Sequence, residues 1–184
     1  DEFSPNAVLL LWQGGMESGN ALADILTGKS EPGGRLTDTV ARHYGDYPSS
    51  SCFGNAKYNF YKEDIYVGYR CFETFSPEKV LFPFGYGLGY TSFDIVAESV
   101  SFDGGKVSVT AKVTNTGTRG GREVVQLYVA KPHGRLAHPA RELAAFCKTS
   151  VIPPGESAEV GLSFTLSDIE SFDDAASEWV TEAG

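Results

Sequence analysis

A chain of 184 residues has room for one domain, or for one domain and part of another, and its 41% of apolar residues suffice for a packed core. Charged residues make up 21% and the formal net charge is −9. Such a surface repels polyanions, which argues against nucleic-acid and membrane-surface partners and leaves neutral partners such as sugars compatible. Cys52, Cys71 and Cys147 are odd in number and widely spaced, with no Cys-x-x-Cys, so they read as free thiols rather than a disulfide framework or a zinc site. With no visible signal peptide, free thiols favour a reducing, cytoplasmic setting. The longest apolar run, Ala7–Trp12, is far below the ~20 residues a membrane span needs.

In chain order, Ala7-Val8-Leu9-Leu10-Leu11-Trp12 predicts a strand buried on both faces of a parallel sheet. Gly14-Gly15 breaks it. Ala21, Leu22, Ile25 and Leu26 then recur at helical spacing until Gly28. One strand and one helix cannot bury such a strand, so the opening reads as the last piece of a larger α/β domain. From Glu31 to Tyr61 no period is sustained, as in a functional loop or a connector laid over a partner surface. Asp64 to Phe72, rich in β-branched and aromatic residues, predicts a strand. Leu81-Phe82-Pro83-Phe84-Gly85-Tyr86-Gly87 follows, with prolines that forbid a regular ladder.

The second half alternates. Val107, Val109, Ala111 and Val113 share one face of a strand, as do Val125, Leu127 and Val129. Ala144 and Phe146 belong to a further strand, and Ala158, Val160, Leu162, Phe164 and Leu166 to another. Asn115-Thr116-Gly117 and Pro153-Pro154-Gly155 are turns. Short alternating strands with regular turns predict a β-sandwich of the immunoglobulin or fibronectin type III kind. Glu178-Trp179-Val180 looks like the approach to another strand, and the expectation is a sandwich without its last strand, which would leave an open sheet edge.

Hydrolysis run by a general acid and a general base can use two facing carboxylates. Glu17, Asp24, Asp38, Asp46, Glu63, Asp64 and Glu73 are available, but abundance is no signal, and each reads as a surface or helix-end group. Glu17 stands where a helix dipole favours negative charge. His43, His133 and His138 lie in polar, loop-like stretches without metal-ligand spacing and read as surface residues. There is no Gly-x-Ser-x-Gly elbow, and Gly14–Gly19 lacks the spacing of a phosphate cradle. The aromatics between Tyr44 and Tyr90 form either a stacking platform for sugar rings or an interdomain seam; the seam is the favoured reading.

Four stretches together resemble glycoside hydrolase family 3: AVLLLW with GGMESGNALADILTG and PGGRL; EDIYVGYRCFE; LFPFGYGLGYTSF; and VTNTGTRGGREVVQLYVA with RELAAF and PPGES. Met16, Thr37 and Cys71 depart from the family's usual glutamine, proline and aromatic residue. The resemblance implies a mixed fold: residues 1–45 as the C-terminal piece of an α/β sandwich domain, 46–90 as an aromatic connector, and 91–184 as a fibronectin type III-like β-sandwich. It implies a retaining β-glucosidase-type parent that releases terminal β-linked glucose or a related sugar. The nucleophilic aspartate and the acid/base glutamate are expected outside this chain, with no catalytic residue, metal or cofactor within it. The remainder of that enzyme, its barrel and the rest of its sandwich domain, would be the partner. DIYVGYRCFETF looks closer to members with permuted domain order, which would place the barrel beyond Gly184. The rival reading is a free-standing β-sandwich that binds a partner or carbohydrate without catalysis; it would expose Ala7–Trp12 as an apolar patch.

Overall fold

The computed structural model describes residues 5–182 and divides into two compact units, Asp1–Pro32 and Gly33–Gly184. In the first, the regular element among the described residues is helix α1, Ser18–Leu26. Gly28 ends it in the left-handed conformation (φ 73°), as the sequence predicts. The Thr27 and Gly28 amides return to the carbonyls of Ala23 and Ile25 at 2.9 Å each. Ala7–Trp12 is a correction: the segment pairs with no strand among the described residues, and Val8 to Trp12 are exposed. A strand exists only through its neighbours' hydrogen bonds, so apolar composition alone does not make one.

The second unit opens with two-residue strand β1 (Val40–Ala41), which pairs antiparallel with β2 (Val80–Phe82) until Pro83 stops the ladder. Between them lies a second correction. The predicted strand Asp64–Phe72 is absent, and Tyr69–Phe75 is instead helix α2. Aromatic β-propensity reflects fit to a half-buried surface, not a backbone rule. Here Gly68 turns the chain at φ 61°, and the helix sends Phe72 into the interior against Tyr47, ring centres 5.7 Å apart.

The sandwich follows. One sheet orders β3 (Phe93–Asp103), β4 (Lys106–Asn115) and β7 (Ser157–Thr165), all antiparallel. The other pairs β5 (Val124–Val129) with β6 (Glu142–Lys148). A small ribbon, β8 (Ser171–Asp173) with β9 (Glu178–Val180), closes the described chain. The alternations predicted for β4, β5 and β7 hold. Ala111, Val113, Val125, Ile152, Val160 and Leu162 form the core, with Leu127, Ala145, Cys147 and Ala158 packed against it. In β6 the inward residues are therefore Ala145 and Cys147, while Phe146 faces solvent. Asn115 is fully buried at the end of β4. Its amide donates to the carbonyls of Arg119 (2.7 Å) and Ile152 (2.8 Å), and its oxygen accepts from the Thr91 hydroxyl (2.7 Å) and the Gly117 amide (3.0 Å).

Candidate functional site

The densest side-chain chemistry lies where residues 33–90 cover the outer face of the β5–β6 sheet. β5 alternates, so Val125 and Leu127 enter the core while Gln126 and Tyr128 face outward. Tyr69 of α2 stacks on Phe84 with ring centres 4.7 Å apart and meets Tyr128 edge-on at 6.0 Å. Its hydroxyl accepts the Leu143 amide at 2.7 Å, and the Thr74 hydroxyl accepts the Ala140 amide at 2.9 Å. Arg141 pairs with Glu73 at 2.6 Å and lies over the Tyr128 ring, 5.2 Å from its centre. Burial raises the Tyr128 phenol above its ordinary range, with the neighbouring Tyr69 adding to the rise.

The glycine-laden turn of the LFPFGYGLGY stretch belongs to the same seam. Gly85 has φ 79°, and a Cβ there would collide with the Gln126 amide. A Cβ on Gly87 would stand 2.7 Å from the Gly34 carbonyl oxygen. Gly85 needs glycine for its left-handed backbone, and Gly87 because the Gly34 backbone approaches it so closely. Leu36 and the turn exchange backbone hydrogen bonds, Leu36 N–H to Tyr86 O at 2.8 Å and Gly85 N–H to Leu36 O at 2.7 Å. Beside them Arg35, from the PGGRL stretch, gives one guanidinium nitrogen to both oxygens of Glu123, at 2.6 and 2.7 Å. Both side chains are nearly buried, 12% and 14% exposed. The Glu123 carboxylate also accepts the Val124 amide at 2.7 Å.

Aromatics outside this seam are differently placed. Phe53, Tyr58, Phe60 and Tyr61 are exposed. Tyr44 and Phe53 line an open recess of about 230 Å³ with Asp38, Tyr47, Ser49 and Ser50. Tyr47 anchors it: its hydroxyl donates to the Thr39 carbonyl (3.1 Å) and accepts the Ala41 amide (3.0 Å).

Five of the seven acidic candidates are engaged locally. Glu17 accepts from the Asn20 amide at 2.5 Å, and Asp24 pairs with Lys29 at 3.0 Å. Asp38 accepts the amide of Thr39 at 2.7 Å, and Asp46 that of His43 at 3.0 Å. Glu73 holds Arg141. Asp64 sits in a left-handed turn at φ 50°. Glu63 lies close enough to Cys71 to raise its thiol, an effect second to burial. All three cysteines are free and partly buried. Among the described residues no group of three or more His, Cys, Asp or Glu side chains could hold a metal ion. No helix among them is long and apolar enough to cross a membrane.

His43 is exposed and caps a short 3₁₀ turn, Tyr44–Asp46, and His133 is exposed. His138 is a correction, because its side chain is 8% exposed. One ring nitrogen meets Glu182 at 3.1 Å and the other Ser171 at 3.2 Å. The row Ser171–His138–Glu182 is a clasp between the loop after β5 and the β8–β9 ribbon. Ser171 stands in a ladder strand and also accepts Lys131 Nζ at 3.0 Å, while Glu182 accepts the Arg135 and Leu136 amides at 2.9 and 3.1 Å. Long-range pairing of this kind leaves no mark in local sequence; only the proximity in the fold brings residue 138 to residues 171 and 182.

The chain matches the model of the glycosyl hydrolase family 3 C-terminal domain over residues 1–90 and that of the fibronectin type III-like domain over 123–184. It is 48% identical over 189 residues to a β-glucosidase of Ruminococcus albus, covering 100% of this chain and 20% of that protein. It is 42% identical over 201 residues to β-glucosidase A of Butyrivibrio fibrisolvens, covering 97% of this chain and 24% of that protein. Among solved structures, it is similar to β-glucosidase 3B of Thermotoga neapolitana in complex with glucose, with a TM-score of 0.86 and 46% identity over 95% of this chain and 25% of that one. A β-glucosidase of Paenibacillus barengoltzii gives a TM-score of 0.85 and 51% identity over 89% of this chain and 18% of that one. With both domain models matched in order, the chain belongs to glycosyl hydrolase family 3 and carries that family's C-terminal domain followed by a fibronectin type III-like domain. It spans 20% and 24% of the length of the two curated relatives.

Proposed function

We propose that this chain is the non-catalytic part of a retaining β-glucosidase-type glycoside hydrolase that releases terminal β-linked glucose or a related sugar. The observation that carries the reading is the alignment of nearly the whole chain with about a fifth of proteins named β-glucosidase, 100% against 20% for the Ruminococcus protein. The local engagement of Glu17, Asp24, Asp38, Asp46 and Glu73 supports placing the nucleophile and the acid/base on the remainder of the enzyme. The chain's work is positional: residues 1–45 complete the α/β sandwich domain, 46–90 brace it, and 91–184 add the fibronectin type III-like domain. Two carboxylates held at working separation need a rigid supporting shell, and the seam on β5 supplies rigidity of that kind.

The rival is a free-standing module for partner or carbohydrate binding, in which Val8 to Trp12 would stay exposed. One assay separates them. A chromogenic β-glucoside is offered to the 184-residue chain and to the full-length product of its gene. Hydrolysis by the longer protein alone is the expected result. Hydrolysis by the chain itself would return attention to Glu17, Glu63 and Asp64, and inactivity of both would favour the free-standing module.

A further inference from the structure

The aromatics of residues 44–90 separate into two groups. Tyr69 and Phe84 are taken up by the seam on β5, where they stack on each other beside Tyr128. Tyr44 and Phe53 are not. They are 65% and 80% exposed, and neither ring pairs with another aromatic ring among the described residues. Both line the open recess of about 230 Å³. A ring left in water keeps an apolar face whose cover by a ligand is favourable.

The recess stands on a built frame. Tyr47 is part of its lining; the hydroxyl is fixed between the Thr39 carbonyl and the Ala41 amide, and the ring meets the buried Phe72 edge-on. From Tyr47 the chain enters a 3₁₀ turn, Pro48–Ser51, whose first position is a proline with fixed φ. The Ser49 carbonyl then accepts both the Cys52 and the Phe53 amides, at 2.9 Å each. Those two hydrogen bonds set where the Phe53 side chain leaves the backbone. Across the same turn the Ser50 carbonyl accepts the Tyr44 hydroxyl at 3.5 Å.

The polar lining suits hydroxyl groups. Ser49 and Ser50 carry hydroxyls, each donor and acceptor at once. One carboxylate oxygen of Asp38 accepts the Thr39 amide at 2.7 Å, which fixes the group, and the other has no partner among the described residues. An ionised carboxylate only accepts, and from a hydroxyl it takes a strong, charge-assisted hydrogen bond. A ligand with an apolar face and a rim of hydroxyls matches this set, which describes a pyranose ring. Sites for drug-sized molecules run ~300–1,000 Å³. A recess of about 230 Å³ therefore holds one ring rather than several. The net charge of −9 disfavours an anionic sugar.

We infer that the recess between Tyr44 and Phe53 is a saccharide-binding site that takes one neutral pyranose ring, its apolar face against the two aromatic rings and a hydroxyl on Asp38. The class of ligand rests on the recess; the choice of a β-glucoside as its probe rests on the functional reading.

Amide hydrogen exchange on the full-length gene product tests this, with methyl 1-thio-β-D-glucopyranoside as the probe because its sulfur link resists hydrolysis. The Cys52 and Phe53 amides exchange when the turn opens and the recess comes apart, so a sugar bound there slows them. At a concentration about ten times the dissociation constant the slowing is expected to be about tenfold. In Phe53→Ala, and in Asp38→Asn, which keeps an acceptor for the Thr39 amide, it is expected to fall below about twofold at the same concentration. Exchange of residues 44–53 unchanged by the sugar would overturn the inference, and so would slowing that survives in either variant. Equal slowing by benzyl alcohol or by tetramethylammonium would overturn it too, because a bare ring or a cation needs no hydroxyl partners. Hydrolysis of the chromogenic glucoside with residues 44–53 unprotected sinks this inference alone, and protection without hydrolysis sinks the functional reading alone.

Discussion

Asn115 fills a buried site with an amide whose two ends both find partners, tying the turn after β4 to the Arg119 and Ile152 carbonyls. A buried polar group left alone costs ~1–3 kcal/mol, and truncation here strands groups on both sides. Asn115→Ala is therefore expected to destabilise the full-length gene product by about 3 kcal/mol, read as a shift of the urea midpoint with unchanged slope. Asn115 was legible in the sequence as the first residue of a turn. Its burial was not, since nothing local reveals that Ile152 arrives beside it from the far side of two strands.

At the scale of elements, the β8–β9 ribbon is held to the loop after β5 by carboxylates. Arg135 pairs with Asp173, and Glu182 caps the Arg135 and Leu136 amides while meeting His138. The Arg135 hydrogen bond lowers the Asp173 carboxyl below its ordinary range, and the Leu136 amide does the same first among the causes for Glu182. A carboxylate with a depressed folded-state pKa adds stability that is present above its unfolded value and lost as pH falls through the folded one. The melting temperature is accordingly expected to drop as pH falls below about 4, and to drop less steeply in Asp173→Asn. Scanning calorimetry across that window checks it; parallel profiles for the two proteins would remove the clasp from the account. β3 was missed for an equally concrete reason. The ladder shifts register between Ala97 and Ser99, so the inward residues change from Phe93, Ile95 and Ala97 to Val100 and Phe102. A bulge inserts one residue and breaks a period-two pattern that is otherwise present.

Across the whole second unit, the PGGRL and LFPFGYGLGY stretches and the sandwich are joined through Arg35 and Glu123. Removing one partner of a nearly buried ion pair leaves the other charge uncompensated, a loss of ~3–5 kcal/mol. Arg35→Ala in the full-length gene product is expected to destabilise by about 3 kcal/mol, since Glu123 keeps the Val124 amide. On the proposed positional role, it also lowers kcat for the chromogenic β-glucoside at temperatures where the protein remains folded. Unaltered kcat with lowered stability would confine the pair to a structural part.

The sequence by itself determined the alternating strands β4, β5 and β7, the helix that ends at Gly28, and the family resemblance, because each is written in local period, turn chemistry or motif. Ala7–Trp12 and Asp64–Phe72 show the limit: apolar and β-branched composition says that a segment wants cover, while partner strands decide whether it becomes a ladder. Only the tertiary structure decided that α2 lays Tyr69 against Phe84 and Tyr128, and that His138 lies buried between Ser171 and Glu182. Those outcomes depend on which distant residues share a surface, and hydrogen bonds and burial between distant residues are set by topology rather than by neighbours along the chain.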